Sequence, residues 1–474
     1  MPHSTDEAGE LSPGDPAEGR GHQFMEPPEG KMTRTLGLGD VSTRLRRIAT
    51  LARQNPQRVF TSLHHTLDID LLREAFRRTR KDGAPGVDGQ TAADYQTHLE
   101  DNLQGLLERF RSGTYRAPPV RRVLIPKGDG KSTRSIGIPT FEDKILQRAV
   151  QMVLEAVYEQ DFRDCSFGFR PGRSPRQALK RIWRGLMNMG GGWVIDADLQ
   201  DFFGSLDRSH LRRFLDQRVR DGVLRRALDK WLRAGVQEEG GITLPDAGTP
   251  QGGVISPLLS NIYLHEVLDV WFEDVVRPRL EGDAFLVRYA DDFVIVCARE
   301  RDARRVLEVL PKRFAKYGLT LHPEKTRRVQ FQRPRYRPRA KRPANAQPPG
   351  TFDLLGFTLL WAPSRSGRWT VKLKTSRKRF TRAVRAIKEW CRYHRHLPIR
   401  EQHRMLMKKL RGHCQYYGAP GNFQALSNFR YQLLCIWRKW LDRRSQRARM
   451  AWERFNKVLS RYPIPHTNHL TPIW

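Results

Sequence analysis

Cysteine is scarce in this chain. Cys165, Cys297, Cys391, Cys414 and Cys435 are the five in 474 residues, scattered and odd in number. That excludes a disulfide scaffold and predicts a reducing cytoplasm. Cys391, His394, His396, His413 and Cys414 lack paired C-x-x-C spacing, which argues against a zinc site. No apolar run approaches ~20 residues, so no transmembrane helix is expected. The N-terminus lacks the apolar segment of a signal peptide. Acid is also short: 51 Asp and Glu against 85 Lys and Arg give a formal charge of +34. Such an excess predicts a polyanionic partner, most simply nucleic acid rather than a membrane surface. At this length two or three domains with substantial cores are expected.

Where acids do occur beside apolar runs, they are informative. Phe285-Leu-Val-Arg-Tyr289-Ala290-Asp291-Asp292-Phe293-Val-Ile-Val-Cys297 reads as two strands with adjacent carboxylates at the turn. Neighbouring carboxylates repel. A divalent cation relieves the repulsion, and hard oxygen ligands suit Mg²⁺. Upstream lies Trp193-Val-Ile-Asp196-Ala-Asp198-Leu199-Gln-Asp201-Phe202-Phe203, another apolar run ending in acids. Carboxylates from separate strands are what two-metal nucleotidyl transfer needs, with ions roughly 3.5–4 Å apart. A strand's period of two puts Asp196 and Asp198 on one face, and Asp201 competes with both.

The remainder divides by composition. Residues 1–31 hold seven acids, two bases, five Pro and five Gly, a disordered acidic leader. Ser42 is a candidate helix cap, Asn55-Pro56 an interruption, and Asp68 or Asp70 the cap of a second helix. Val120–Ile125 and Arg134–Ile138 read as a hairpin turning at Asp129-Gly130. The triplet Gly130-Lys131-Ser132 is not a phosphate-binding P-loop, because position 125 is Ile and no helix follows. Ile145, Leu146, Ala149, Val150, Val153 and Val157 predict a core-facing helix before Tyr158. Residues 209–235 read as a basic amphipathic helical stretch. A further helix is predicted from about Arg301 to Tyr317. Residues 326–350 carry eight bases, no acid and five Pro, an RNA-contact candidate. Residues 365–461 hold 27 bases and four acids. There Leu433, Ile436, Trp437 and Trp440 fall on one helical face, and Arg438, Lys439, Arg443 and Arg444 largely on another. A three-helix unit, apolar inside and basic outside, is expected.

Asp198 followed by Phe202-Phe203, together with Tyr289-Ala-Asp-Asp, resembles the palm of reverse transcriptases. The Tyr-Ala-Asp-Asp form resembles that of group II intron-encoded reverse transcriptases, or maturases. So do Lys81-Asp-Gly-Ala-Pro-Gly, Thr249-Pro-Gln251-Gly-Gly-x-x-Ser256-Pro-x-Leu-x-Asn261 and Leu410-Arg-Gly-His-Cys-Gln-Tyr416-Tyr417. The resemblance spans about residues 40–460. It implies an α/β right-hand polymerase, fingers and palm, followed by an all-α basic thumb/maturase domain. The expected divisions are a leader over 1–33, an N-terminal extension and fingers over 34–117, and fingers-palm over 118–360. The helical thumb/maturase domain then takes 361–462, and a tail 463–474.

The resemblance also implies roles. Asp198, the backbone carbonyl of Leu199, Asp291 and Asp292 would hold two Mg²⁺ ions, with Mn²⁺ as a substitute. Lys325 matches a lysine near the leaving pyrophosphate, a candidate general acid. Lys127, Arg134 and Gln251 match positions that contact the nucleotide, and Phe203 the ring that excludes a 2′-hydroxyl. Phe352–Phe357 matches a primer-contacting segment. Arg170 and Arg173, in an aromatic loop, are candidate RNA contacts, as are Arg438, Lys439, Arg443 and Arg444. The implied partners are intron RNA, a primed RNA template, target DNA and dNTPs, with no membrane. The implied setting is a bacterial cytoplasm, as a ribonucleoprotein or on the nucleoid. Two alternatives compete: a defence- or CRISPR-associated reverse transcriptase, and an RNA-binding splicing cofactor with a vestigial polymerase.

Overall fold

The computed structural model describes residues 38–126, 133–238, 241–243, 252–336, 349–445 and 450–470. The acidic leader, Lys127 and Gln251 lie outside them, as do residues 337–348 of the basic stretch 326–350. The first helix, Leu38–Gln54, begins before Ser42, so Ser42 is not its cap, and it stops before Asn55-Pro56. Asp68 caps Ile69–Arg78 by accepting from the Leu71 N–H at 3.0 Å. Thr140 caps the long helix Phe141–Tyr158, whose apolar stripe is buried as its spacing predicts.

Strands β1 (Val120–Pro126) and β2 (Thr133–Ile138) pair antiparallel, with Ile125 opposite Arg134. β3 (Gly191–Ala197) and the short β4 (Leu199–Gln200) flank Asp198. β5 (Val236–Glu238) and β6 (Gly241–Thr243) extend the first hairpin into a sheet ordered β2-β1-β5-β6. β7 (Ala284–Tyr289) and β8 (Asp292–Cys297) form the predicted hairpin. β9 (Thr320–Leu321) pairs with β4, and β10 (Arg327–Gln332) with β3. The palm sheet is ordered β10-β3-β8-β7, antiparallel throughout.

That sheet is buried on both faces. Ile195, Leu286, Phe293 and Ile295 pack into one core with the fingers helices. Val194, Phe285, Val287, Val294, Val296 and Phe331 pack into another with the C-terminal helices. The alternation is the strand's period of two, and it explains why these strands read as unbroken apolar runs.

The stretch read as helical over 209–235 is two helices, Arg208–Asp216 and Gly222–Leu232. Asp221 makes the break by capping the second, accepting from Val223 and Leu224 N–H groups at 2.9 and 3.1 Å. The helical region does not begin at 361. β11 (Phe352–Leu354), β12 (Phe357–Pro363) and β13 (Trp369–Thr375) form a sheet first, and helices start at Arg377.

Four helices follow rather than three: Arg377–Tyr393, Ile399–Tyr417, Phe423–Asp442 and Trp452–Arg461. Trp437 is fully buried and donates to Gln402 Oε1 at 2.9 Å. Gln402 in turn donates to the carbonyls of His394, Arg395 and Leu397, closing the loop between the first two helices. The expected tail from 463 is docked: Ile464 is buried, and Arg430 donates to its carbonyl at 2.8 Å.

His413 stacks on Phe429, with centroids 3.8 Å apart. Burial pushes its imidazole down from 6.5 to about 3. A folded-state value below the unfolded one gives stability that is full above pH 6.5 and is lost as pH falls. At pH 5 the loss is on the order of 2 kcal/mol. His413→Phe keeps the ring and removes the proton site. Thermal melts between pH 7.5 and 5 should therefore show a flatter acid arm than wild type; identical acid losses would contradict this.

Candidate active site

β7 and β8 turn through Ala290-Asp291, closed by the pair Tyr289 and Asp292. Ala290 sits at φ 58°, in the left-handed region. An L-residue there costs about 1–2 kcal/mol, so the surroundings must hold it. Across the sheet Ala197 pairs with Phe293. One step further, Asp198 emerges level with Asp292 at the same end. Its backbone carbonyl accepts from His322 N–H at 2.8 Å, which ties the strand end to the β9 segment.

The electrostatics agree with this convergence. Asp292 is exposed along its open edge, yet its carboxyl is crowded from the protein side. Burial, then the charges of Asp291, Asp198 and Asp196, push it up to about 7, against the pull of Lys325. Lys325 Nζ lies 2.5 Å from Asp198 Oδ2. Asp196 is committed elsewhere, accepting from Arg327 Nε at 3.1 Å. Asp201 is exposed at the start of the next helical turn. Among the three upstream candidates, Asp198 is the one presented to the turn.

Leu199 is buried and pairs with Leu321. Phe203 is half-buried, with its ring 5.3 Å from Phe202 and packed against the fingers-side core. The backbone of Arg134 lies in β2; its side chain is outside the described residues. Gly252, at φ 111°, lies so close to β2 that an added Cβ would come within 2.3 Å of the Gly137 carbonyl. The residue directly after Gln251 therefore rests on the hairpin that carries Arg134. Only glycine permits both that dihedral and that approach.

The donor chemistry at the turn fits divalent cations, since hard carboxylate oxygens from two chain segments face one another. Among the described residues no three such groups are yet drawn tightly around one point. Asp198 instead faces the Lys325 ammonium, which would have to release it.

A family model of reverse transcriptase (RNA-dependent DNA polymerase) matches residues 125–359, from the end of β1 into β12. Over 461 aligned residues the chain is 29% identical to the group II intron-encoded protein LtrA of Lactococcus lactis subsp. cremoris, covering 82% of this chain and 75% of that protein. It is 36% identical over 288 residues to protein YkfC of Escherichia coli (strain K12), covering 54% of this chain and 75% of that one. The chain belongs to the group II intron-encoded reverse transcriptases.

This reverse transcriptase spends several of its arginines internally. Arg170 is not an RNA contact: its side chain is 4% exposed. It bonds Glu159 and donates to the carbonyls of Arg163 and Ser166 at 2.8 and 2.9 Å. Arg173 pairs with Asp164 at 2.6 Å. The exposed aromatic of that loop is Phe169, 49% exposed at φ 57°, with its ring 6.4 Å from Tyr289. Of the loop's two expected features, arginines and aromatics, it is an aromatic that stands strained and exposed beside the Ala290-Asp291 turn.

In the thumb, Arg444 donates to the carbonyls of Arg395 and Leu397, and Arg438 to that of Met450 at 2.8 Å. These two hold loops. Lys439 and Arg443 are exposed. Tyr416 reaches from the thumb to donate to the Leu355 carbonyl at 3.1 Å, in the turn between β11 and β12.

The division of labour among these bases is testable by filter binding of RNA across a salt series. Lys439→Ala with Arg443→Ala should reduce the slope of log affinity against log salt by about 1.4–1.8, from two lost phosphate contacts. Arg444→Ala should lower thermal stability and leave the slope in place. The reverse assignment would show that Arg444, not the exposed pair, meets phosphate.

Proposed function

We propose that the chain copies a primed RNA template with dNTPs, by attack of the primer 3′-hydroxyl on the dNTP α-phosphate with release of pyrophosphate. The observation that carries this is the meeting of Asp198 with Asp291 and Asp292 at one sheet end, beside Lys325. Asp198, Asp291, Asp292 and the Leu199 carbonyl are the groups proposed to hold two Mg²⁺ ions, with Mn²⁺ as a substitute. When bound, such ions neutralise charge on the attacking and leaving oxygens and fix their alignment. Lys325, once released from Asp198, holds a proton for the departing pyrophosphate. Phe203 offers its half-buried ring to the sugar, where a 2′-hydroxyl would meet it. Lys127, Arg134 and Gln251 are proposed to hold the triphosphate and sugar.

RNA recognition draws on the C-terminal region, where most of the chain's excess positive charge lies. We assign intron RNA to that surface, for splicing assistance and as template, and target DNA as the second partner during intron insertion. No helix among the described residues is long and apolar enough to cross a membrane. A ribonucleoprotein associated with the nucleoid is the proposed working state.

Primer extension on poly(rA)·oligo(dT) tests the reading: Mg²⁺-dependent dTTP incorporation is expected. Its absence with Mg²⁺ or Mn²⁺ in folded, RNA-binding protein would refute the catalytic half. Phe203→Ala should keep measurable dNTP use and lower the preference for dNTP over rNTP. An unchanged preference would make Phe203 a core residue only.

A further inference from the structure

The residue before the Tyr-Ala-Asp-Asp sequence is Arg288, and it is 0% exposed. A guanidinium buried to that degree needs every donor met. Arg288 makes five hydrogen bonds. Nε and Nη2 grip Asp269 Oδ1 and Oδ2 at 2.7 and 2.6 Å. Nη2 also reaches Ser166 Oγ at 2.7 Å. Nη1 reaches Asn261 Oδ1 at 2.9 Å and the Ala290 carbonyl at 3.0 Å. The last of these is the left-handed residue of the turn itself.

The same partners hold the turn from its other side. Asn261 Nδ2 donates to the Gly168 carbonyl at 2.7 Å. Gly168 lies so close under the turn that an added Cβ would come within 2.2 Å of Ala290 N. Arg288 N–H donates to the Cys165 carbonyl at 2.8 Å, and Phe167 N–H to the Arg288 carbonyl at 2.9 Å. Asp269 ends the first of two successive π-helical turns, His265–Asp269 and Trp271–Val276. Such irregular turns recur at functional sites. Asn261 sits in the helix Ser256–Leu264, which directly follows the Gln251 loop.

A buried ion pair is a poor stabiliser, because desolvation offsets the attraction. What this one does is fix geometry. We infer that Arg288, locked by Asp269, Asn261 and Ser166, is the positioning residue of the catalytic turn. It holds the Ala290 carbonyl, and thereby sets where Asp291 and Asp292 point. Through Asn261 it also ties the turn to the helix behind the nucleotide loop. The inference rests on the polymerase reading for its effect on turnover, but not for its effect on metal affinity.

The test uses the full chain and three variants. Asn261→Ala and Ser166→Ala leave the Arg288–Asp269 pair intact and so spare the fold better than Arg288→Lys would. Arg218→Lys is the control: it disturbs another buried guanidinium, paired with Asp161 at 2.9 Å and bonded to the carbonyls of Ala52 and Asn55 rather than to the turn. Mn²⁺ binding to the free protein is read by electron paramagnetic resonance, beside primer-extension kcat and KM and thermal midpoints. Asn261→Ala should weaken Mn²⁺ binding and lower kcat, each by about 10–100-fold, the range for groups that orient metal ligands. Ser166→Ala should follow in the same direction, and KM for primer-template should not move. Equal Mn²⁺ affinity and kcat in wild type, Asn261→Ala and Ser166→Ala would overturn the inference. So would losses no larger than those of Arg218→Lys at matched thermal stability. An inactive wild type that binds Mn²⁺ more tightly than Asn261→Ala would refute the polymerase reading and leave the clamp standing.

Discussion

Carboxylates of like charge do not gather unaided, and the palm is built around forcing them to. Asp198 and Asp292 meet because β3 and β8 are paired in a register that ends them together. The repulsion is visible in Asp292, pushed up to about 7 after burial by its acidic neighbours. Lys325 and Arg327 offset part of it from the β9–β10 side, at Asp198 and Asp196. Arg288 holds the turn from beneath without touching the reacting face. A cation is the missing partner that would make this arrangement favourable rather than tolerated.

The sheet that makes this possible cannot bend, because both faces are packed. The fingers-side core holds one face; the other belongs to the same cluster as Trp437 and the C-terminal helices. Thumb and palm therefore share an interior. Tyr416 on the Leu355 carbonyl, and Trp183 Nε1 on the Val371 carbonyl at 2.8 Å, stitch the same junction. The thumb surface proposed to bind RNA is thus packed on the same sheet that carries the turn with the carboxylates.

Much of this was legible in the sequence. The Tyr289–Asp292 hairpin showed because apolar strands flank a polar turn, and Phe141–Tyr158 showed because its stripe is regular. β13 did not, because Lys372 and Lys374 alternate through it and the surrounding charge reads as helix surface. The break at Asp221 was hidden by continuous amphipathic spacing on either side. Arg170 and Arg444 were misread for a common reason: an arginine's charge is plain in sequence, but whether backbone carbonyls have already claimed it is a tertiary fact. Arg288 is the extreme case. It stands in an apolar strand beside the best-marked motif in the chain, and its partners come from 19, 27 and 122 residues away.

The central claim is that chemistry resides at the palm turn while RNA grip resides in the basic C-terminal region. Replacing Asp291 and Asp292 together by Asn tests it, with RNA affinity and primer extension measured on the same preparation. The substitution removes ligands and repulsion but no basic contact. Polymerisation should fall to background while RNA affinity stays within severalfold of wild type. Loss of RNA binding in parallel with activity, or polymerisation that survives the double substitution, would contradict the account.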